Sequence, residues 1–124
     1  MMTTDRFAEP QLFEVWRMAF RYEDQPEISK ERPVIIGAVN KETDEVLLLT
    51  VKVTGHAPRS DCVGEVVLED WQEAGLEKPS VARCSKHMVV PSRIFRNKRR
   101  YGKLSFRDSS AVLDALREVK APLL

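Results

Sequence analysis

Thr54, His56 and Arg59 stand within six positions of one another in the stretch K-V-T-G-H-A-P-R (52–59), where an apolar run ends. Arg32 stands immediately before a second apolar run, P-V-I-I-G-A-V. These are groups suited to a phosphodiester. A guanidinium offers a planar fork of donors that matches two phosphate oxygens, a hydroxyl adds a further hydrogen bond, and an imidazole titrates near neutral pH. Each also has a plainer reading. An arginine before a proline at a strand start is a common ion-pair partner, a threonine at a strand end commonly caps a turn, and a histidine in a glycine-containing turn is commonly just solvated. Other chemistries lack their residues. With two histidines and two cysteines outside any CxxC spacing, no metal site and no cofactor is expected. No nucleophile elbow and no glycine-rich phosphate loop precedes a helix.

The elements that must position these groups read mostly as strands. Leu12–Phe20 is rich in aromatic and β-favouring residues, and 21–32 is polar with Pro26, the mark of a long exposed loop. Pro33–Val39 is a short, β-branched apolar run, joined by the tight polar connection N-K-E-T-D-E to a strand over Val46–Thr54. In that strand Leu47, Leu49, Val51 and Val53 alternate with Leu48, Thr50, Lys52 and Thr54, so Thr54 falls on the more polar face. If the two strands are antiparallel neighbours, the start of the first lies beside the end of the second and Arg32 beside Thr54. Gly64–Leu68 reads as a short strand, and Glu69–Leu76 as a helical segment with Gly75 at its C-cap and Pro79 beyond. Ser80–Val90 and Gly102–Phe106 read as strands around the basic stretch P-S-R-I-F-R-N-K-R-R-Y. A final helix from about Ser110 carries the stripe Val112, Ala115, Leu116 and Val119, with Ser109 or Ser110 as N-cap. Five to seven short strands and a terminal helix describe a mainly β protein, a small β-barrel or strongly curved sheet whose type propensity alone does not choose.

A chain of 124 residues, 43% hydrophobic and 31% charged, suits one globular domain over 1–124. No apolar run approaches the roughly 18 residues that span a bilayer, and the N-terminus lacks the apolar core of a signal peptide. A cytoplasmic protein with two free thiols, Cys62 and Cys84, and no membrane partner is expected. The net charge of +1 hides an asymmetry. Nine of the twenty Lys and Arg fall between Arg83 and Arg107 with no acid among them, leaving eleven bases against nineteen acids elsewhere. Such a split suits a polyanion-binding face. It equally suits a solvated basic hairpin neutralised by acids packed nearby.

The opening E-V-W (14–16), the block K-E-R-P-V-I-I (30–36), the strand end V-T (53–54) and the block D-W-Q-E-A-G-L-E-K-P-S (70–80) stand together in one chain, followed by Y-G-K-L and a final helix. On these motifs the chain, over about residues 12–119, resembles the MazF/PemK-type toxins of bacterial toxin–antitoxin systems, the mRNA interferases, and within them a PemK-like branch. The resemblance implies an SH3-like β-barrel, which together with the helical segment at 69–76 and the final helix gives a barrel with a short internal helix and a C-terminal helix. It implies a homodimer, metal-independent endoribonuclease activity on single-stranded RNA, and a cognate antitoxin whose disordered tail fills the RNA groove. The family's catalytic arginine falls on Arg32 and its catalytic threonine on Thr54. Two features depart from the family. The glycine that precedes the acidic residue of the first strand, in a site-lining loop, is Phe13, and the 21–29 loop carries Glu23, Asp24 and Glu27.

Cleavage without metal would proceed by attack of the 2′-OH on the adjacent phosphorus, with charge stabilisation at the pentavalent phosphate. Arg32 would stabilise that charge, and Thr54 would hold a phosphate oxygen. A guanidinium is too basic to serve as general base, which makes His56 the candidate. Lys30, Arg59, Arg93, Arg96, Lys98, Arg99, Arg100 and Lys103 would bind RNA, with Phe95 or Tyr101 available for base stacking or for the core. The rival reading is a non-catalytic RNA- or protein-binding module on the same barrel. A gyrase poison of this fold would end in Trp-Gly-Ile, whereas the chain ends Lys120-Ala121-Pro122-Leu123-Leu124.

Overall fold

The computed structural model describes residues 9–21, 27, 29–58 and 61–124. The β-branched runs form a six-stranded antiparallel sheet: β1 (Glu14–Arg21), β2 (Ser29–Asn40), β3 (Leu47–Thr54), β4 (Glu65–Val67), β5 (Val81–Pro91) and β6 (Arg100–Lys103). Their order across the sheet is β4-β5-β3-β2-β1-β6, and the sheet curls into a half-barrel with one C-terminal helix, α1 (Phe106–Glu118). No helix among the described residues is long and apolar enough to cross a membrane. Both cysteines are free, and burial pushes the Cys84 thiol up to about 12, which keeps it protonated.

Apolar packing lies on both sides of the sheet. On one side Val15, Ile35, Leu49, Val51 and Val53 meet Val112 and Leu116 of α1. On the other, Trp16, Met18, Val34, Ile36 and Leu48 meet Phe95, whose ring stands edge-on to Trp16 with centroids 5.8 Å apart. The alternation expected along β3 holds, but its second face is not uniformly polar. Leu48 is buried in the cluster with Phe95, Thr50 is buried with its hydroxyl donating to Met88 O at 2.9 Å, and only Lys52 and Thr54 remain partly open.

Several boundaries differ from the sequence reading for identifiable reasons. Residues 29–32 belong to β2 rather than to a loop, because the ladder with β1 runs on to Arg21↔Ser29 and backbone pairing tolerates polar side chains. The helix starts at Phe106, not near Ser110. Ser105 caps it by accepting from the Asp108 amide at 3.3 Å, a shorter-range signal than the apolar stripe further on. The segment 69–76 is a succession of turns rather than a helix. It closes with Leu76 N–H donating to Trp71 O and Gly75 N–H donating to Gln72 O, both at 3.0 Å, around Gly75 at φ +84°. That is the Schellman pattern, so the C-terminal signal at Gly75 is real although turns, not a helix, precede it. The short internal helix is instead a 3₁₀ turn at Ser92–Phe95.

A carboxylate cluster ties α1 to this turn segment. Asp108 accepts from the amides of Glu69 (3.0 Å) and Asp70 (2.8 Å), while Asp70 accepts from the Arg107 guanidinium through both oxygens at 2.8 Å and from the Ser105 hydroxyl at 2.6 Å. Arg107, then Ser105, lowers the Asp70 carboxyl to about 2. At Glu14 burial acts upward, but hydrogen bonds from Trp16, Gln11 and Arg100 outweigh it and the net direction is down. A depressed folded-state pKa stabilises the fold above the unfolded value and loses that effect as pH falls through the folded one. The stability of the wild type is therefore expected to drop between about pH 4 and pH 2, the range from Asp70's ordinary value to its folded one. The stability gap between wild type and Asp70→Asn should close over the same range. Thermal melts of the two proteins across a pH series check this.

Candidate active site

Arg32 and Thr54 come together because β2 and β3 pair antiparallel with Val34 opposite Lys52. Two further steps along each strand set residue 32 against residue 54. Both side chains line one pocket of about 110 Å³ at the end of the half-barrel, floored by Pro33, Val53, Leu76 and Tyr101. The floor is held by backbone contact between the 69–76 turns and β6. A Cβ at Gly75 would lie 2.1 Å from the Tyr101 carbonyl oxygen.

The hydroxyl of Thr54 is oriented by the turn that follows it. His56 N–H donates to Thr54 Oγ1 at 3.3 Å, which leaves the hydroxyl proton free to donate outward. The rim adds a cation that sequence reasoning missed. Lys78 folds across Gly55, so near that a Cβ there would meet Lys78 Cε at 2.6 Å and Nζ at 2.9 Å. Its only sequence signal was its place in the K-P-S block. Glu77 pairs with Arg99 at 3.8 Å, and Arg99 stacks over the Tyr101 ring at 4.6 Å. A guanidinium, a hydroxyl and an ammonium thus surround a space of the size and polarity for one tetrahedral oxyanion.

The remaining expected residues are placed differently. The exposed His56 lines a separate groove of about 410 Å³ with Trp71, Val67 and Pro79, which shares only Gly55 and Ser80 with the first pocket. The chain bends at Gly55 and His56, so His56 lines the groove that Arg32 does not, although its amide reaches Thr54. Arg59, Glu23 and Asp24 lie outside the described residues, and Glu27 is exposed in a turn. Lys30 is exposed on β2, two residues before Arg32.

Most of the basic stretch is ion-paired with acids from distant parts of the chain. Arg93 meets Glu45 at 3.3 Å, Lys98 meets Glu31 at 2.7 Å, and Arg100 meets Glu14 at 2.7 Å. Arg96 is exposed just after the 3₁₀ turn, and Lys103 faces a groove beside Phe106 and Leu113, away from the pocket. Of the two readings of this stretch, the structure favours the neutralised hairpin for these paired residues. Phe95 is fully buried and belongs to the core, while Tyr101 is half-buried under Arg99. Phe13 holds φ +66°, the left-handed conformation that favours glycine, and is pinned by Phe13 N–H to Ile36 O (2.7 Å) and Leu104 N–H to Phe13 O (2.9 Å). Its ring packs on the α1 side of the core and is not among the residues that line the Arg32–Thr54 pocket.

Comparison with known proteins agrees with this architecture. No curated protein sequence matches the chain significantly. Two crystal structures of MazE–MazF from Deinococcus radiodurans share the fold. Form III has a TM-score of 0.68 at 15% identity, covering 91% of this chain and 97% of that one. Form II has 0.63 at 16%, covering 93% and 98%. The sequence profile described as the PemK-like, MazF-like toxin of type II toxin-antitoxin systems matches residues 11–119, nearly the whole chain. The chain therefore belongs to the PemK-like, MazF-like toxins of type II toxin–antitoxin systems.

Proposed function

We propose that this protein is a metal-independent endoribonuclease that cuts single-stranded RNA at the Arg32–Thr54 pocket. The observation that carries the reading is the convergence of Arg32 and Thr54 on one oxyanion-sized space in a chain of this family. The 2′-OH adjacent to the scissile phosphate loses its proton and its oxygen attacks phosphorus. The P–O5′ bond breaks, and the leaving oxygen takes up a proton. Arg32 neutralises charge on the pentavalent phosphate, and Thr54 donates to a non-bridging oxygen, aided by the nearby Lys78 ammonium. The partners of this reading are RNA, a second copy of the chain and a cognate antitoxin in the cytoplasm, and the whole of 1–124 acts as one SH3-like barrel domain. The MazE–MazF pairing in the Deinococcus structures supports the antitoxin.

The test is incubation of the purified protein with a long single-stranded RNA in the presence of EDTA. Cleavage is expected to persist, and to vanish in Arg32→Ala and Thr54→Ala. Intact RNA with salt-sensitive binding would replace the nuclease by the non-catalytic binding module.

His56 serves this site through its main-chain amide. His56→Ala is expected to keep cleavage within about tenfold of wild type, whereas a loss in the 10²–10⁴ range typical of general bases would restore the imidazole to that role. Single-turnover rates across a pH series separate the two.

A further inference from the structure

A group of positive side chains occupies the lower half of the sheet face opposite α1, next to the pocket. Lys30 and Arg32 of β2 and Lys52 of β3 share this face, and Arg83 of β5 lies opposite Lys52 in the register. Lys86 sits in the irregular stretch of β5 where that register shifts. The Lys52 ammonium lies 6.0 Å from the centroid of the Phe20 ring, and Phe20 is itself opposite Lys30. Arg83 is paired with Glu65 at 2.9 Å. Lys30, Arg32, Lys52 and Lys86 form no ion pair with any described carboxylate. The contrast with the 93–100 stretch is direct, since there the charges are largely matched. Burial lowers the Lys52 pKa, and the proximity of Arg83, Arg32 and Lys86 lowers it further. Charges arranged in this way oppose folding of the free protein, and a multivalent anion relieves them.

We propose that this face, centred on Lys52 and reaching Lys86, holds the phosphates that flank the scissile one, and that the ion-paired 93–100 stretch does not. The inference rests on the single-stranded RNA reading given above. Lys52 and Thr54 are two residues apart on one face of β3, about 7 Å along the strand. An RNA whose scissile phosphate occupies the Arg32–Thr54 pocket therefore passes over Lys52 and on toward Arg83 and Lys86. Half-buried Phe20 beside Lys52 offers a flat apolar surface to a base.

The experiment measures affinity for a 2′-O-methyl single-stranded oligonucleotide, which cannot be cut, by fluorescence anisotropy over a salt series. Lys52→Met and Lys86→Ala are compared with Arg93→Ala and Arg100→Ala. Each lysine substitution is expected to flatten the slope of log K against log salt by about 0.7, the value for one phosphate contact on a single strand, while the arginine substitutions leave it unchanged. The thermal midpoint of Lys52→Met is expected at or above that of wild type, because a repelled charge is removed. A purely structural lysine would lower it. Unchanged slopes in both lysine variants, or flattened slopes in the arginine variants alone, overturn the proposal. Absence of oligonucleotide binding together with binding of poly-glutamate overturns it too, and assigns the face to an acidic protein segment. Lysine-dependent binding by a protein that cuts no RNA would leave the track standing and remove the nuclease.

Discussion

Arg32→Ala is expected to slow RNA cleavage by about a thousandfold while leaving the thermal midpoint at or slightly above that of wild type. The size follows from what is lost: a charged, forked donor beside the phosphate where negative charge develops. The unchanged stability follows from Arg32's surroundings. Arg32 forms no ion pair with a described carboxylate and is one of the three cations that push down the Lys52 pKa. Removing it therefore relieves repulsion. Arg32→Lys keeps the charge but loses the planar fork, and an intermediate loss is expected. Thr54→Ala should cost about a hundredfold, and Thr54→Ser, which keeps the hydroxyl, much less. Single-turnover cleavage of one RNA by the four variants, with melts of the same samples, gives both readouts. Arg32→Ala cutting at the wild-type rate would remove the proposed mechanism.

What could be read from the sequence was what short-range patterns encode. The period of two from Leu47 to Thr54 put Thr54 on the face with Lys52, and the six-residue connection between strands put Arg32 opposite it. Gly75 announced a left-handed chain end six residues after Glu69, and the turn exists even though the helix before it does not. What escaped was set by contacts across the chain. The basic stretch looked like a polyanion face because its neutralising acids, Glu14, Glu31, Glu45 and Glu77, come from the first strand, the second strand and two turns. Only folding brings them to Arg100, Lys98, Arg93 and Arg99. Conversely, Lys52 looked like one polar residue in an alternating strand. Its cationic neighbours, the unpaired Arg32 and Lys86 and the Glu65-paired Arg83, lie on three different positions of two other strands. Hydropathy alternation tells inside from outside but not which outer charges meet a partner. For the same reason the sequence offers His56 as a candidate base: nothing local says which of the two pockets beside Gly55 its side chain lines.

Gly75→Ala is expected to be the most destabilising single change at the site end of the molecule, at about 3 kcal/mol or more. Two costs combine. A φ of +84° puts a Cβ in conflict with its own backbone, at about 1–2 kcal/mol. That Cβ would also stand 2.1 Å from the Tyr101 carbonyl oxygen, and overpacking of this kind adds about 1–3 kcal/mol. The obstacle is backbone on β6, which is paired to β1 and cannot rotate away as a side chain can. Against a total stability of about 5–15 kcal/mol this lowers the melting midpoint by roughly 10 °C. Gly55→Ala is the informative contrast. Its clash is with the far end of Lys78, which swings clear at little cost, so stability should stay within about 0.5 kcal/mol while the rim cation moves. The two glycines therefore separate the scaffold from the site. One change unseats Tyr101, the pocket floor, and melts the protein early. The other leaves the melt in place and alters only the rate of cleavage. A Gly75→Ala midpoint within about 2 °C of wild type would mean that the 69–76 turns and β6 are not locked together, and that the pocket floor rests on something else.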